Sequence, residues 1–261
     1  MPTATTAGAT TARTAAVTEL ATRPFRVEAL PTCLSVSDVQ AHTARRAASP
    51  VDAGPAGGGG TKHRRIIVGI GGDELLPATI RLPPASVLVV LGGPGSGKSS
   101  LIAAIPHLNP HTSEWLSPGM EAGADNYWAR ILLRAEAGTL SKDAVLLVDD
   151  ADMLTPEDTR QLVHLHGLGW TVLLTAGFSP TLVQRVPLTA HARGHGAGIL
   201  IAPRNLMDGD FFGIRFDVDP SPPPGRAVVI SDGRATPVQL AAAADAGVKG
   251  QAAPHRHAKQ S

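Results

Sequence analysis

A glycine-rich segment between an apolar run and a helix-forming run constrains the fold of this chain more than any other feature. Residues 92–99 read Gly-Gly-Pro-Gly-Ser-Gly-Lys-Ser and fill every fixed position of the pattern G-x-x-x-x-G-K-S. Residues 86–91 are an apolar run, as expected for a strand buried on both faces of a parallel sheet. A helix is predicted to begin over residues 98–105. This context favours a phosphate-binding loop over a chance match in a chain with 28 glycines.

The chemistry of phosphate binding explains the residue types in this loop. Backbone N–H groups must wrap the phosphate, and larger side chains would obstruct them. The glycines permit positive φ and close approach, and the following helix directs its positive dipole end at the same phosphates. Lys98 is expected to reach the β- and γ-phosphates of ATP and to act in catalysis, whereas Ser99 is expected to ligate Mg²⁺. The predicted nucleotide-binding set is Gly92, Gly93, Pro94, Gly95, Ser96, Gly97, Lys98, Ser99 and Ser100.

Polar residues at the ends of two further apolar strands are predicted to complete the site. Asp149 and Asp150 follow the apolar residues 144–148. Asp149 is expected to hold Mg²⁺ through water, as the Walker-B carboxylate does, and Asp150 is expected to polarise the attacking water. Thr175 ends the apolar run 171–175 and is predicted to contact the γ-phosphate or the attacking water. The alternative for Thr175 is a strand-end hydroxyl that satisfies the backbone.

Two other sets of polar residues are interpreted as ordinary surface groups. One set comprises candidates for an arginine that reaches into a neighbouring subunit: Arg185, Arg193 and Arg204. The other set comprises histidines that lack carboxylate partners at metal-ligand spacing: His164, His166, His191 and His195. Neither set is therefore given a role in the predicted site.

Composition limits the classes of function. The 23 basic and 22 acidic residues give a net charge of +1, which argues against a broad surface for nucleic acid. Cys33 is the single cysteine, so neither an intramolecular disulfide nor a cysteine-based zinc site can form. The apolar runs are too short to span a bilayer, and the N-terminus lacks a signal-peptide pattern. A cytoplasmic location is expected.

Strand and helix patterns alternate along the chain and predict a parallel α/β sheet with crossover helices. The predicted strands are 66–70, 79–82, 86–91, 144–148, 171–175 and 198–202, and the predicted helices are 33–43, 98–105, 125–137, 156–166 and 180–186. Residues 24–31 are predicted to be an edge strand, and residues 227–240 a hairpin that turns at Asp232-Gly233. The expected organisation is a disordered leader (1–22), one domain (23–240) with a flexible linker at about 45–62, and a disordered tail (241–261).

Several segments together resemble the FtsK/SpoIIIE family of P-loop ATPases, and most closely the C-terminal ATPase module of the EccC/EssC proteins of type VII secretion. The resemblance covers roughly residues 24–240 and rests on the P-loop and on 25–31, 67–74, 147–152, 209–213, 222–229 and 238–240. It implies a RecA-like core with small β additions at both ends. It also implies Mg-dependent hydrolysis of ATP, with Lys98 and Ser99 for the nucleotide and Asp149 and Asp150 for magnesium and hydrolysis. The implied partners are further copies or partner ATPase modules, and either double-stranded DNA or secreted proteins.

A catalytically weak docking or regulatory module is the alternative function. Asp150 is shorter than the Glu commonly found at its position, and no arginine finger is evident. The stretch between Ser99 and Asp149 is short for a motor that carries DNA-handling loops there, so the chain is expected to be a stand-alone or truncated module. Three other classes are less favoured. A generic AAA+ ATPase would have a helical lid after residue 202, and a nucleotide kinase would have an arginine-rich lid. An ABC-type ATPase would have a Leu-Ser-Gly-Gly-Gln segment, and the sequence shows none of the three.

Overall fold

The computed structural model describes residues 28–47, 64–111, 114–120 and 126–243. The predicted leader, residues 48–62 of the predicted linker and most of the predicted tail lie outside these ranges. Residues 45–47, which were assigned to the linker, instead form the last turn of a helix. Residues 28–31 of the predicted edge strand are not in a strand. Their polar groups bond elsewhere, since the Glu28 N–H donates to the Asp73 carbonyl and the Pro31 carbonyl accepts from Arg226.

The described residues fold into alternating strands and helices. The helices are α1 (Val36–Ala47), α2 (Lys98–Leu108), α3 (Tyr127–Glu136), α4 (Pro156–Gly167), α5 (Leu182–Arg185) and α6 (Thr189–His195). The strands are β1 (Arg64–Gly71), β2 (Leu76–Leu82), β3 (Val87–Gly92), β4 (Trp115–Leu116), β5 (Val145–Val148), β6 (Thr171–Ala176), β7 (Gly198–Ile201), β8 (Arg226–Ser231) and β9 (Arg234–Leu240). Short 3₁₀ helices occupy Pro118–Met120, Ala151–Met153 and Leu206–Phe212.

All nine of these strands belong to one sheet in the order β2-β1-β9-β8-β7-β3-β6-β5-β4. The five strands from β7 to β4 are parallel to one another, whereas every pairing from β7 through β8, β9 and β1 to β2 is antiparallel. The predicted α/β class, with a parallel sheet between helices and β additions at both ends of the chain, is confirmed.

The parallel strands are apolar on both faces because helices cover both sides of the sheet. In β5, for example, Leu146 and Val148 join the cluster packed by α3, α4, α5 and α6. Val145 and Leu147 join the cluster packed by α2 on the opposite face. Because these five strands are parallel, their carboxyl ends lie along one edge of the sheet. Open α/β sheets bind ligands at this edge.

Local capping signals set two of the helix starts. The Thr155 hydroxyl accepts a hydrogen bond from the Asp158 N–H at 3.1 Å and thereby caps the start of α4. At α1, the Ser35 hydroxyl accepts from the Asp38 N–H at 3.1 Å and the Asp38 carboxylate accepts from the Ser35 N–H at 2.9 Å. Ser35 is therefore the cap of α1, and Asp38 completes a capping box.

Three features of the fold were not predicted. Strand β4 has only two residues, fewer than a pattern needs, and the seven residues of helix α6 include no large apolar side chain. The third feature is the position of the C-terminal hairpin. Its strands β8 and β9 lie between β7 and β1 and join the N-terminal hairpin to the parallel strands. Within the described ranges, no helix combines the length and apolarity that crossing a bilayer requires.

Candidate nucleotide-binding site

The predicted site residues lie at the ends of three adjacent parallel strands. Strand β6 pairs with β3 on one side and with β5 on the other. The loop at 92–99 follows β3, Asp149 follows β5, and Thr175 lies at the end of β6. The sheet order thus brings together segments that are far apart in the sequence.

The glycines of the loop have different roles in its conformation. Gly95 and Gly97 have φ of 70° and 102°, in the left-handed region where a Cβ is unfavourable. Gly92 has no positive φ, but a Cβ there would lie 2.3 Å from the Ser96 hydroxyl oxygen. Gly93 has neither restriction, because a Cβ would meet nothing within 4 Å. Positive φ is therefore found at Gly95 and Gly97, and a close approach is found at Gly92.

Lys98 connects the loop to the end of β5. Its side chain is 11% exposed, and its ammonium donates to the carbonyl oxygens of Gly92 and Gly93 at 3.2 and 3.3 Å. The same ammonium lies 3.5 Å from Oδ1 of Asp150, whose side chain is half exposed. The cation predicted to reach the phosphates and the carboxylate predicted to polarise water are therefore in direct ionic contact.

Thr175 organises the two carboxylates that follow β5. It is fully buried, and its hydroxyl donates to Asp149 Oδ1 at 2.7 Å. The Thr175 hydroxyl oxygen also accepts a hydrogen bond from the Asp150 N–H at 2.8 Å. This geometry corresponds to the alternative interpretation, in which a strand-end hydroxyl satisfies neighbouring polar groups. Contact of Thr175 with a phosphate stays a prediction.

Asp150 adopts a backbone conformation that few side chains tolerate. Its φ of 44° and ψ of 56° lie in the left-handed region, and it precedes the 3₁₀ turn Ala151–Met153. Asn and Asp enter this region more readily than other residues with a Cβ. The turn reverses the chain directly after the strand and sets the Asp150 carboxylate beside Lys98.

Asp152 and Arg185 join the loops that follow β5 and β6, a role that the sequence did not reveal. Asp152 Oδ2 accepts from the Gly177 N–H at 3.4 Å, and the Arg185 guanidinium donates to the Asp152 carbonyl at 2.8 Å. Nothing in the spacing of these residues signals the contact. Arg185, a candidate arginine finger, is thus engaged within its own chain.

Ser99 and Asp149 line the same cavity of about 440 Å³, together with Leu147 and residues 117–120. A hydroxyl oxygen and a carboxylate oxygen are donors that suit Mg²⁺, which binds through one or two protein ligands and keeps several waters. The Thr175 hydroxyl donates a hydrogen bond to Asp149 Oδ1. Oδ2 is therefore the oxygen of this carboxylate that would face a metal ion. The predicted metal pair therefore supplies oxygen donors of the kind that magnesium prefers, in the wall of one cavity.

The other arginines and histidines lie in different surroundings. The Arg193 guanidinium is 5.9 Å from the centroid of the Phe211 ring, whereas Arg204 lines a cavity beside the loop. The His166 and His191 rings make an edge contact at 4.6 Å between centroids. Burial lowers the pKa of His166 below its usual value of 6.5. No cluster of three or more metal-ligand side chains occurs in the part of the chain that the structure describes.

The described residues have the RecA-like α/β fold of P-loop ATPases, and solved ATPase structures of type VII secretion share it. "EssC (ATPases 2 and 3)" from Geobacillus thermodenitrificans has 15% identity and a TM-score of 0.55, with 88% of this chain and 48% of that chain covered. The cytoplasmic domain of the Thermomonospora curvata type VII secretion ATPase EccC has 17% identity and a TM-score of 0.52, with 82% and 28% covered. The chain thus spans less than half the length of these two structures, and the predicted resemblance is confirmed as a likeness of fold.

A third structure, "The cytoplasmic domain of EssC", has 15% identity and a TM-score of 0.50, with 88% of this chain and 51% of that chain covered. No protein-family model matches the sequence, and no curated protein shows significant similarity to it.

Proposed function

We propose that residues 23–240 form a cytoplasmic domain that binds ATP with Mg²⁺ and hydrolyses it to ADP and phosphate. The contact between Lys98 and Asp150 carries the proposal, because it sets the cation of a P-loop beside a carboxylate that follows β5, the buried parallel strand on the far side of β6. This is where P-loop ATPases combine phosphate binding with orientation of the attacking water. The fold shared with secretion ATPases supports the same conclusion.

Each residue has a defined role in this proposal. The loop N–H groups and the N-terminus of α2 bind the phosphates. Lys98 exchanges the carbonyl oxygens of Gly92 and Gly93 for phosphate oxygens. Ser99 and Asp149 hold Mg²⁺, which neutralises charge on the transferred phosphoryl group. Asp150, released from Lys98, orients and polarises the attacking water.

A docking or regulatory module that binds ATP and hydrolyses little is the second candidate. This candidate would hold if Asp150 stayed paired with Lys98 after nucleotide binds, because a paired Asp150 cannot polarise water. Arg185 is held by the Asp152 carbonyl, which leaves that candidate finger engaged within the chain. In this case the module would work with partner ATPase modules or with further copies of itself, in a membrane complex to which it is peripheral.

Replacement of Lys98 tests nucleotide binding. Mg·ATP should raise the melting temperature of the wild type, because a ligand that binds only the folded state stabilises it by RT ln(1 + [L]/Kd). Lys98→Ala should abolish this shift, whereas Lys142→Ala, whose ammonium packs on the Trp170 ring, should retain it. An equal shift in the wild type and in Lys98→Ala would refute the site assignment.

Replacement of Asp150 separates binding from hydrolysis. Asn tolerates the left-handed backbone at this position, so Asp150→Asn should fold normally and keep the thermal shift with Mg·ATP. Its turnover should fall by about 10²–10⁴-fold, the usual contribution of a positioned acid or base. A wild type that binds ATP but shows no turnover with DNA or with a candidate partner would instead favour the docking module.

Binding of double-stranded DNA is the remaining question about partners. A DNA ligand held through phosphate contacts would show an apparent affinity that falls steeply as salt increases. The near-neutral net charge and the fold shared with secretion ATPases favour a protein partner. We therefore expect weak DNA binding with little salt dependence, measured by a salt titration with fluorescent duplex.

A further inference from the structure

The cavity that Ser99 and Asp149 line contains a further polar side chain, Ser117, which has no role in the proposed mechanism. Ser117 is 8% exposed. It directly follows the two-residue strand β4, which pairs in parallel with β5. Ser117 therefore lies at the same carboxyl edge of the sheet as the predicted metal ligand Asp149.

The register of β4 against β5 explains why Ser117 faces this cavity. Leu116 pairs with Leu146, so the next residue, Ser117, lies beside Leu147. Both Ser117 and Leu147 line the cavity. Side chains alternate between the two faces of a sheet, and Asp149, two residues after Leu147, lines the cavity as well. Ser117 and Asp149 are therefore on the same face of the sheet, under α2.

The hydroxyl of Ser117 is available to a molecule in the cavity. The Ser117 carbonyl accepts a hydrogen bond from the Met120 N–H at 3.1 Å. The hydroxyl, by contrast, has no hydrogen-bond partner among the residues that the structure describes. It keeps accessible surface, unlike Ser96 Oγ, which is fully enclosed without a partner. A polar group that is nine-tenths buried and unpaired is unfavourable unless a ligand or water completes it.

The other walls of the cavity offer few alternatives to Ser117. Ile102 and Leu147 give the wall an apolar character. His107 is polar but exposed, and it lies in the last turn of α2, about 12 Å along the helix axis from Ser99. Ser117 is therefore the polar group of this wall that lies beside the end of β5.

The chemistry of a hydrated magnesium ion matches such a group. Mg²⁺ that binds through one or two protein ligands keeps several waters. A water whose oxygen is bound to a metal acts on its surroundings as a hydrogen-bond donor, and a serine hydroxyl oxygen has lone pairs that accept. Partners of this kind orient the groups bound to a metal, and their removal weakens metal affinity by roughly 10–100-fold.

We propose that Ser117 is a positioning residue for the magnesium ion, with its hydroxyl oxygen accepting a hydrogen bond from a water that the ion keeps. The inference rests on the proposed binding of Mg·ATP. It adds a residue from β4 to the pair formed by Ser99 and Asp149, so that the hydrated ion is held between α2, β5 and β4.

Replacement of Ser117 tests the proposal through nucleotide binding rather than turnover. The Kd of the full chain for adenylyl imidodiphosphate, a non-hydrolysable analogue of ATP, is measured by calorimetry with excess Mg²⁺ and again with EDTA. Because coupling between two ligands is reciprocal, the ratio of the two Kd values reports how much the protein tightens the hold on the metal. Ser117→Ala should raise the Kd with Mg²⁺ about tenfold and should leave the Kd with EDTA unchanged.

Two control variants separate the hydroxyl from the stability of the fold. Ser86→Ala removes another buried hydroxyl, which donates to the Pro83 carbonyl at 2.6 Å and lies before β3, at the opposite edge of the sheet. Both Kd values should stay as in the wild type. Ser117→Thr retains the hydroxyl, and the cavity has room for the added methyl group, so the wild-type ratio should be restored.

A second measurement observes the metal directly. Mn²⁺ replaces Mg²⁺, and the electron paramagnetic resonance signal of free Mn²⁺ gives the Kd of the ion for the complex of protein and analogue, with protein in excess. Ser117→Ala should raise this Kd about tenfold, as in the calorimetric experiment. An unchanged Kd for Mn²⁺ would overturn the role of Ser117.

The outcomes distinguish this inference from the proposed function. An equal rise of the Kd with Mg²⁺ and with EDTA in Ser117→Ala would show that the residue acts only through the shape of the segment 117–120. That result, or a loss in Ser117→Thr as large as in Ser117→Ala, would overturn the positioning role and leave ATP binding intact. A wild type that binds the analogue neither with Mg²⁺ nor with EDTA would refute the proposed function, and the role of Ser117 with it.

Discussion

At the scale of single residues, Thr175 shows how one buried hydroxyl can fix the positions of two carboxylates. It donates to the Asp149 side chain and accepts from the Asp150 backbone. Both groups belong to the turn after β5, whereas Thr175 lies on β6. The hydroxyl therefore holds the proposed metal ligand Asp149 and the proposed catalytic base Asp150 in fixed positions relative to the sheet.

Thr175→Val removes these two hydrogen bonds and keeps the shape of the side chain. We expect the free energy of unfolding to fall by about 1–3 kcal/mol, because the Asp150 N–H loses its main acceptor and the buried position of the Thr175 hydroxyl excludes water as a replacement. ATP turnover should also fall, with a smaller effect on nucleotide binding. Urea unfolding and an ATPase assay measure these effects. Thr171→Val, at the opposite end of the same strand, is the matched control and should retain full turnover.

At the scale of elements, the pairing of β1 with β9 depends on one residue without a side chain. Gly69 follows a register irregularity in β1 and lies opposite Leu240. A Cβ at Gly69 would lie 2.1 Å from the carbonyl oxygen of Gln239. Because backbone cannot give way as the end of a flexible side chain can, the two strands approach each other only with glycine here.

Gly69→Ala should therefore destabilise the protein by about 1–3 kcal/mol through overpacking. The matched control is Gly194→Ala in α6, where a Cβ would meet nothing within 4 Å. The control should be neutral or should stabilise the helix by about 0.5–1 kcal/mol. Thermal unfolding of both variants measures the difference, and equal melting temperatures would contradict the close approach of β1 and β9.

At the scale of the whole molecule, protonation of His166 couples pH to global unfolding. Burial lowers the pKa of His166, the bond to the Trp170 carbonyl opposes this shift, and the nearby His191 and His195 lower the pKa further. The unfolded chain accepts a proton as the pH falls through about 6.5, whereas the folded chain accepts it only at lower pH. The stability conferred by neutral His166 is thus complete above pH 6.5 and declines below it.

We expect the free energy of unfolding to fall as the pH is lowered from neutral through about 6.5, and His166→Gln to reduce this slope because it removes the titrating group. Urea titrations across this range provide the measurement. His164→Gln changes an exposed position on the same helix and should leave the slope as in the wild type. An unchanged slope in His166→Gln would show that the ring does not contribute to the pH dependence.

Most elements and the pieces of the candidate site could be predicted because their signals are local. The apolar runs that became β3, β5 and β6 are buried on both faces, and the Thr155-Pro156 start of α4 is a local capping signal. The loop was predicted from its spacing, from the apolar run before it and from the helix pattern after it. By contrast, β4 pairs only two residues with β5, and a strand this short has no period to detect.

Local sequence patterns were sufficient to predict the alternation of strands and helices, the glycine-rich loop at 92–99, and the acidic residues after β5. These follow from apolar periodicity, glycine placement and residue chemistry, which act over a few neighbouring positions. Which strands are neighbours became known only from the tertiary structure. The strand order brings Lys98 to Asp150 and Thr175 to Asp149. It also brings residues 32–34, 220–225 and 239–242 to one cavity beside the loop. Such contacts join residues far apart in the chain, and they depend on packing free energy summed over the whole sheet rather than on any local pattern.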